Sequence, residues 1–304
     1  MTTPRTEEAS DRYRGLETWP DQAILEAIVA AQRASIEAVG AAVPSLAAAG
    51  EAVATRLRSG GRLVYAGAGS PALMAQSDAL ELPGTYGLRA DQVPTLLAGG
   101  PASMHEIPSG AEDDAEAAAA GVDALGVGPK DALIAISASG TTPFAVSALR
   151  RAKARGALVI GMASNEDAPL LVEADIAVLL ATPPEVIAGS TRMNAGTAQK
   201  CALNMLSTLV GIRLGHVHDG MMVNLKVENE KLRRRAVGII MRAAGVGESE
   251  AARSLTAAEG EVKAAILIAA GAADAAEAQN ILASHGGEVR ASLAALATRK
   301  RTMG

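Results

Sequence analysis

Aromatic side chains are nearly absent: one tryptophan, one phenylalanine and three tyrosines occur in 304 residues. So few rings leave little on which bases could stack. The net charge of −5 supplies no basic stripe, and together these argue against a nucleic-acid-binding class. Cys201 is the single cysteine, which excludes an intrachain disulfide and a cysteine metal cluster. In an apolar helical pattern it reads as buried packing. The four histidines show no metal-ligand spacing beyond His216-x-His218, so no metal is expected. No apolar run reaches the length of a membrane span, and the polar Met1–Glu8 segment lacks a signal-peptide core. The expectation is a soluble, cytoplasmic chain with no membrane partner. What is abundant is aliphatic: 49 % of residues are apolar, enough to build one or two domains.

Residues 21–58 read as two helices, with Asp21 after Pro20 as the first N-cap. Short aliphatic runs then alternate with helical patterns. Leu63–Ala66, Asp131–Ile136, Leu158–Met162 and Ile176–Leu180 read as strands. Such runs between helices predict an α/β fold: three α-β-α layers around a mostly parallel sheet. From about 241 the chain becomes alanine-rich, and segments 248–258, 261–270 and 274–284 read as short helices. The expected division is therefore residues 1–240 as the sheet domain and 241–304 as a small helical bundle. Arg233-Arg234-Arg235 reads as a solvated helix face.

Three polar loops carry the candidate chemistry, and ligands on such sheets bind outside the carboxyl ends of the strands. Gly67-Ala68-Gly69-Ser70 follows the first strand. It fits a dinucleotide fingerprint formally, with Asp91 at about the spacing of the ribose acid. Pro71 and the turn at Gly84–Gly87 argue against that, leaving a tight turn or a phosphate cradle. Ser137-Ala138-Ser139-Gly140-Thr141-Thr142 places four hydroxyls between a strand and a helix, a setting suited to phosphate oxygens. Gly189–Lys200 carries Ser190, Thr191, Arg192 and Lys200 and opens into the helical pattern Leu203, Met205, Leu206, Leu209, Val210. A polar helix start is where an anion is best held, so this run is expected to grip a small anionic ligand. Glu81 is the first acid–base candidate, because flanking leucines would raise its pKa. Glu112 is the second, although acids are also favoured at helix starts for structural reasons.

These motifs together resemble the N-acetylmuramic acid 6-phosphate etherase family, which carries a SIS (sugar isomerase) domain. The resemblance spans roughly residues 5 to 300. It rests on Gly189-Ser190-Thr191-Arg192, Ala195–Lys200, Leu203–Thr208, Asn229–Arg233, Gly110–Asp113, Gly67–Gly69, and Ser139-Gly140 with Thr142-Pro143. It implies cleavage of the lactyl ether of N-acetylmuramic acid 6-phosphate to N-acetylglucosamine 6-phosphate and D-lactate. It also implies a homodimer without cofactor or metal. By the same resemblance Glu81 is the acid toward the lactyl oxygen and Glu112 the base at C2. Gly67, Gly69, Ser70, Ser137, Ser139, Gly140, Thr141, Thr142, Ser190, Thr191, Arg192 and Lys200 would contact the sugar phosphate.

Three positions depart from the family pattern. Leu73 and Thr141 stand where the first two loops usually carry arginine, and Asn194 stands where a basic residue is common. Charge-assisted hydrogen bonds are about twice as strong as neutral ones, so these losses bear on the anion site. The alternatives are a sugar-phosphate-binding regulatory protein or the same chemistry on a different sugar. An aldose–ketose isomerase on this scaffold is disfavoured by the Gly189–Lys200 run.

Overall fold

The computed structural model describes residues 5–106 and 109–303. The chain forms two compact units, one from residues up to Ala79 with Ala90–Leu209, the other from Leu80–Arg89 with Val210 onward. The expected boundary at residue 240 falls inside a single helix, Glu230–Ala244.

In the first unit, three short 3-10 turns between Arg5 and Thr18 lead into α1 (Asp21–Ala41) and α2 (Val43–Arg58). Pro20, not Asp21, occupies the N-cap position of α1, and Asp21 is its first residue. There follow β1 (Leu63–Gly67), α3 (Gly69–Tyr86), β2 (Thr95–Leu97), α4 (Ala115–Ala124), β3 (Ala132–Ile136) and α5 (Pro143–Ala154). Next come β4 (Leu158–Ala163), α6 (Pro169–Val172), β5 (Ile176–Leu179) and the start of α7 (Asn194–Arg213). All five strands are parallel, in the order β2-β1-β3-β4-β5.

β1 and β3 are buried at every residue, as continuous aliphatic runs require when both sheet faces are covered. Val64, Ala66, Leu133, Ala135 and Val159 share one cluster with α4 and α5. The alternate residues Leu63, Tyr65, Ile134, Ile136 and Ile160 are fully buried on the opposite face, where α2 packs. At the amino-terminal edge, Asp131 takes a bidentate grip from Arg62 (Nη2 to Oδ2 2.8 Å, Nε to Oδ1 3.2 Å) and accepts from Gly128 N at 3.0 Å. Burial alone would raise the Asp131 pKa, but these bonds and the Arg62 charge hold it below the usual carboxylate value.

Four strands match the aliphatic runs, and β2 has no counterpart among them. It is only three residues long and follows Pro94, too short for any period. Its place sets the strand order, because the chain runs from β1 outward to β2 and then returns to β3 on the other side. The strand order therefore reverses between β1 and β3, the switch point where open α/β sheets bind ligands.

The second unit contains a two-stranded hairpin, β6 (Val217–His218) and β7 (Met221–Met222). It also contains α8 (Glu230–Ala244), α9 (Glu248–Ala257), α10 (Val262–Ala269), α11 (Ala275–Ser284) and α12 (Val289–Met303). Ile239, Ile240, Leu255, Ile266 and Leu267 form its core. The hairpin and α12 had no clear sequence signal. Arg233, Arg234 and Arg235 are exposed on α8, and Arg234 pairs with Glu230 one turn earlier.

Candidate active site

Two of the three polar loops flank the switch point. Gly67 ends β1 in register with Ile136 at the end of β3. A Cβ on Gly67 would lie 3.2 Å from the Ile136 carbonyl oxygen, so glycine lets the two loops leave the sheet side by side. α3 begins at Gly69, with Ser70 half-buried and Pro71 in the first turn, where its missing N–H is harmless. Asp91 lies in a turn before β2 rather than at the end of a second strand. The dinucleotide fingerprint is therefore not completed.

The β3 loop is built around one buried hydroxyl. Ser137 is 2 % exposed, and its Oγ accepts from Gly140 N at 2.9 Å. The same Oγ pairs with Thr142 Oγ1 at 2.8 Å and Ser139 Oγ at 3.2 Å. Gly140 has φ +75°, and a Cβ there would press on Ala163 and Ala168. Ser137 thus shapes the loop, while half-buried Ser139 and Thr142 and exposed Thr141 are presented. Thr142 is the N-cap of α5 but makes no side-chain cap bond, and Pro143 supplies no N–H. That helix start has hydroxyls around it and no acid of its own.

The third run behaves differently. α7 begins at Asn194, and its start is already occupied by an anion, the carboxylate of Glu185. Oε2 accepts from Asn194 N at 2.7 Å and Oε1 from Ala195 N at 2.9 Å. Glu185 is 1 % exposed; burial pushes its pKa above the usual value, and the two N–H bonds pull the other way. The expectation that this helix start holds a ligand's anion is corrected: the chain fills it. Ser190 and Thr191 are half-buried, Arg192 is exposed and Lys200 half-buried. Cys201 is half-buried rather than buried, its sulfur 3.8 Å from Met205 Sδ.

The N-terminal segment joins the second and third loops. Asn165, just past β4, donates to Ser139 O (3.1 Å) and accepts from Arg5 N (2.9 Å), and Thr6 O accepts from Gly189 N (3.1 Å). Asn165 is not among the residues expected from sequence, and its place just after an aliphatic run is the available signal. Asp78 is not among them either. It is 1 % exposed on α3 and accepts from Tyr65 Oη (2.7 Å), Asn204 Nδ2 (2.8 Å) and Ser207 Oγ (3.0 Å). Burial first, and then the Asp78 charge, lift the Tyr65 pKa well above its usual value.

Both candidate acids are exposed. Glu81 lies on α3 one turn after Asp78, in the segment assigned to the second unit. The leucines beside it in sequence do not enclose it: Leu80 is 66 % exposed and Leu82 buried. Successive helical residues point about 100° apart, so neighbours in sequence face different ways. Glu112 sits in a 3-10 turn, Ala111–Asp113, that packs against α5 in the first unit. Capping of α4 falls to Asp114, which accepts from Ala117 N at 2.8 Å, so Glu112 is not the helix cap. Among the described residues, no three His, Cys, Asp or Glu side chains are placed to hold one metal ion.

A SIS-domain family model matches residues 22–164. A phosphoheptose isomerase structure from Neisseria gonorrhoeae aligns with 62 % of this chain and 97 % of its own, at TM-score 0.48 and 18 % identity. The N-acetylmuramic acid 6-phosphate etherase of Streptomyces coelicolor is 45 % identical over 258 residues, 85 % of this chain and 83 % of that protein. The etherase of Deinococcus radiodurans is 42 % identical over 291 residues, 95 % of each. The chain belongs to the N-acetylmuramic acid 6-phosphate etherase family. Within this etherase-family chain the three departures differ in setting. Asn194 is fully buried and spends its amide on Pro184 O at 2.9 Å. Leu73 is half-buried, and only Thr141 is exposed.

Proposed function

We propose that this chain is a carbon–oxygen lyase that cleaves the D-lactyl ether of N-acetylmuramic acid 6-phosphate. The products are N-acetylglucosamine 6-phosphate and D-lactate, in amino-sugar recycling from peptidoglycan. The observation that carries this is 42 % identity to an etherase along 95 % of both chains. The switch-point loops support it, because they offer a phosphate-sized set of hydroxyls at a helix start without needing a metal.

The 6-phosphate is assigned to the α5 start, with Ser139, Thr141 and Thr142 as hydroxyl donors. The sugar lies along Gly67, Gly69 and Ser70, and Ser190, Thr191, Arg192 and Lys200 supply further polar contacts and positive charge. Ring opening exposes the C1 aldehyde, which acidifies the C2 proton. Glu112 takes that proton, the C3–O bond breaks, and Glu81 protonates the departing lactate oxygen. Water then adds across the unsaturated aldehyde, placing hydroxyl on C3 and hydrogen on C2. Each general acid–base step contributes about 10²–10⁴-fold. The proposal includes a cytoplasmic homodimer with no resident metal or cofactor.

Incubation with N-acetylmuramic acid 6-phosphate should release D-lactate, undiminished by EDTA. Glu81→Gln and Glu112→Gln should each lower kcat by about 10²-fold or more. Absence of lactate from the parent protein overturns the function, and undiminished release from either variant overturns that residue's role. The losses at Leu73 and Thr141 favour one second reading, a sugar-phosphate-responsive regulator. That reading requires thermal stabilisation by phosphosugars without turnover.

A further inference from the structure

Glu185 has no part in the proton transfers assigned above, yet it is among the most completely enclosed polar groups of its unit. Its two oxygens converge on two consecutive N–H groups, Asn194 N and Ala195 N. Residues 186–193 are thereby closed into a loop whose ends meet at one carboxylate. Inside it, Ser190 N donates to Ile187 O (2.9 Å), Thr191 N to Gly189 O (3.0 Å) and Met193 N to Ser190 O (3.1 Å). Gly196 N reaches back to Thr191 O at 2.8 Å, and the Asn194 amide holds Pro184 O at 2.9 Å. The backbone beneath Ser190, Thr191 and Arg192 is thus tied from both sides.

We infer that Glu185 is a positioning residue, whose bidentate hold on the start of α7 fixes Ser190, Thr191 and Arg192 for substrate binding. The inference rests on the etherase reading. A carboxylate suits the task because two donors point at it. Glutamine would answer one N–H and set its own NH2 against the other, while aspartate is one methylene too short. With both oxygens engaged, Glu185 acts through the loop rather than on the sugar.

The test is steady-state lactate release by Glu185→Gln and Glu185→Asp. KM of Glu185→Gln should rise about tenfold, matching the loss of a hydrogen bond to a charged group, with kcat within about threefold. Glu185→Asp should fall between. A lowered thermal midpoint with unchanged KM would reduce Glu185 to a structural residue and overturn the inference. A collapse of kcat at unchanged KM would make it a proton-transfer group, which also overturns it. If Glu185→Gln does not fold, Glu185→Asp is combined with Arg192→Ala. Their effects on KM should be less than multiplicative because both act through one loop, and independent effects count against it. Should the parent release no lactate, the etherase reading has failed, and the inference is read from binding. Affinity for N-acetylglucosamine 6-phosphate should then drop about tenfold in Glu185→Gln, and unchanged affinity overturns it.

Discussion

Two hydroxyl-rich runs open two helices of the same unit, and they are filled in opposite ways. At α7 the N–H groups of Asn194 and Ala195 are taken by Glu185. At α5 the cap residue Thr142 bonds only sideways to Ser137, and residues 137–142 contain no acid. The same residue types at the same kind of helix start therefore serve different ends. What decides is whether the chain supplies its own anion, and at α7 that anion lies outside the run that drew attention to it.

The sharpest way to break this comparison is to give α5 a resident charge. Thr141→Asp adds a carboxylate at an exposed loop position without disturbing the core. Like-charge juxtaposition costs several kcal/mol, so kcat/KM should fall about 100-fold or more while the thermal midpoint barely moves. Full activity in this variant would show that the phosphate is held elsewhere. A smaller effect of opposite sign is expected from Thr141→Arg, which adds a cation at the same position. Affinity for the phosphosugar should improve about tenfold, and calorimetry showing no change would remove Thr141 from the anion site.

The smallest effect concerns stability at α7. The Glu185 pKa is raised in the folded protein, so folding favours its protonated form. Its contribution to stability is full below the ordinary carboxylate range and is lost as pH rises through the raised value. The unfolding free energy of the parent minus that of Glu185→Gln should therefore fall in urea melts as pH rises from the ordinary carboxylate range through the raised value. A difference that grows with pH would mean that the two N–H bonds outweigh burial.

The layers of the sheet unit were legible because β1, β3 and β4 are buried on both faces and read as unbroken aliphatic runs. The hydroxyl loops were legible because they directly follow those runs. β2 escapes a periodicity reading because three residues carry no period, and with it goes the strand reversal between β1 and β3. Glu185 escaped because Thr182–Val186 is an ordinary loop in sequence. The role of its carboxylate exists only once the chain has folded back on it. The leucines flanking Glu81 are its neighbours in sequence and not in space, so the sequence suggests an apolar setting that the helix does not provide. Residues 80–89 join a unit whose remainder begins at Val210, a grouping that no stretch of sequence taken in order can display.

The scarcity of aromatic rings has a practical side. Trp19 is the single tryptophan, and it packs half-buried against the cluster of Leu16, Ala31 and Val186. Val186 is the residue directly after Glu185. All indole emission therefore originates beside one end of the loop that presents Ser190, Thr191 and Arg192. The protein carries its own unlabelled optical reporter, able to follow that loop in real time as a phosphosugar is titrated in.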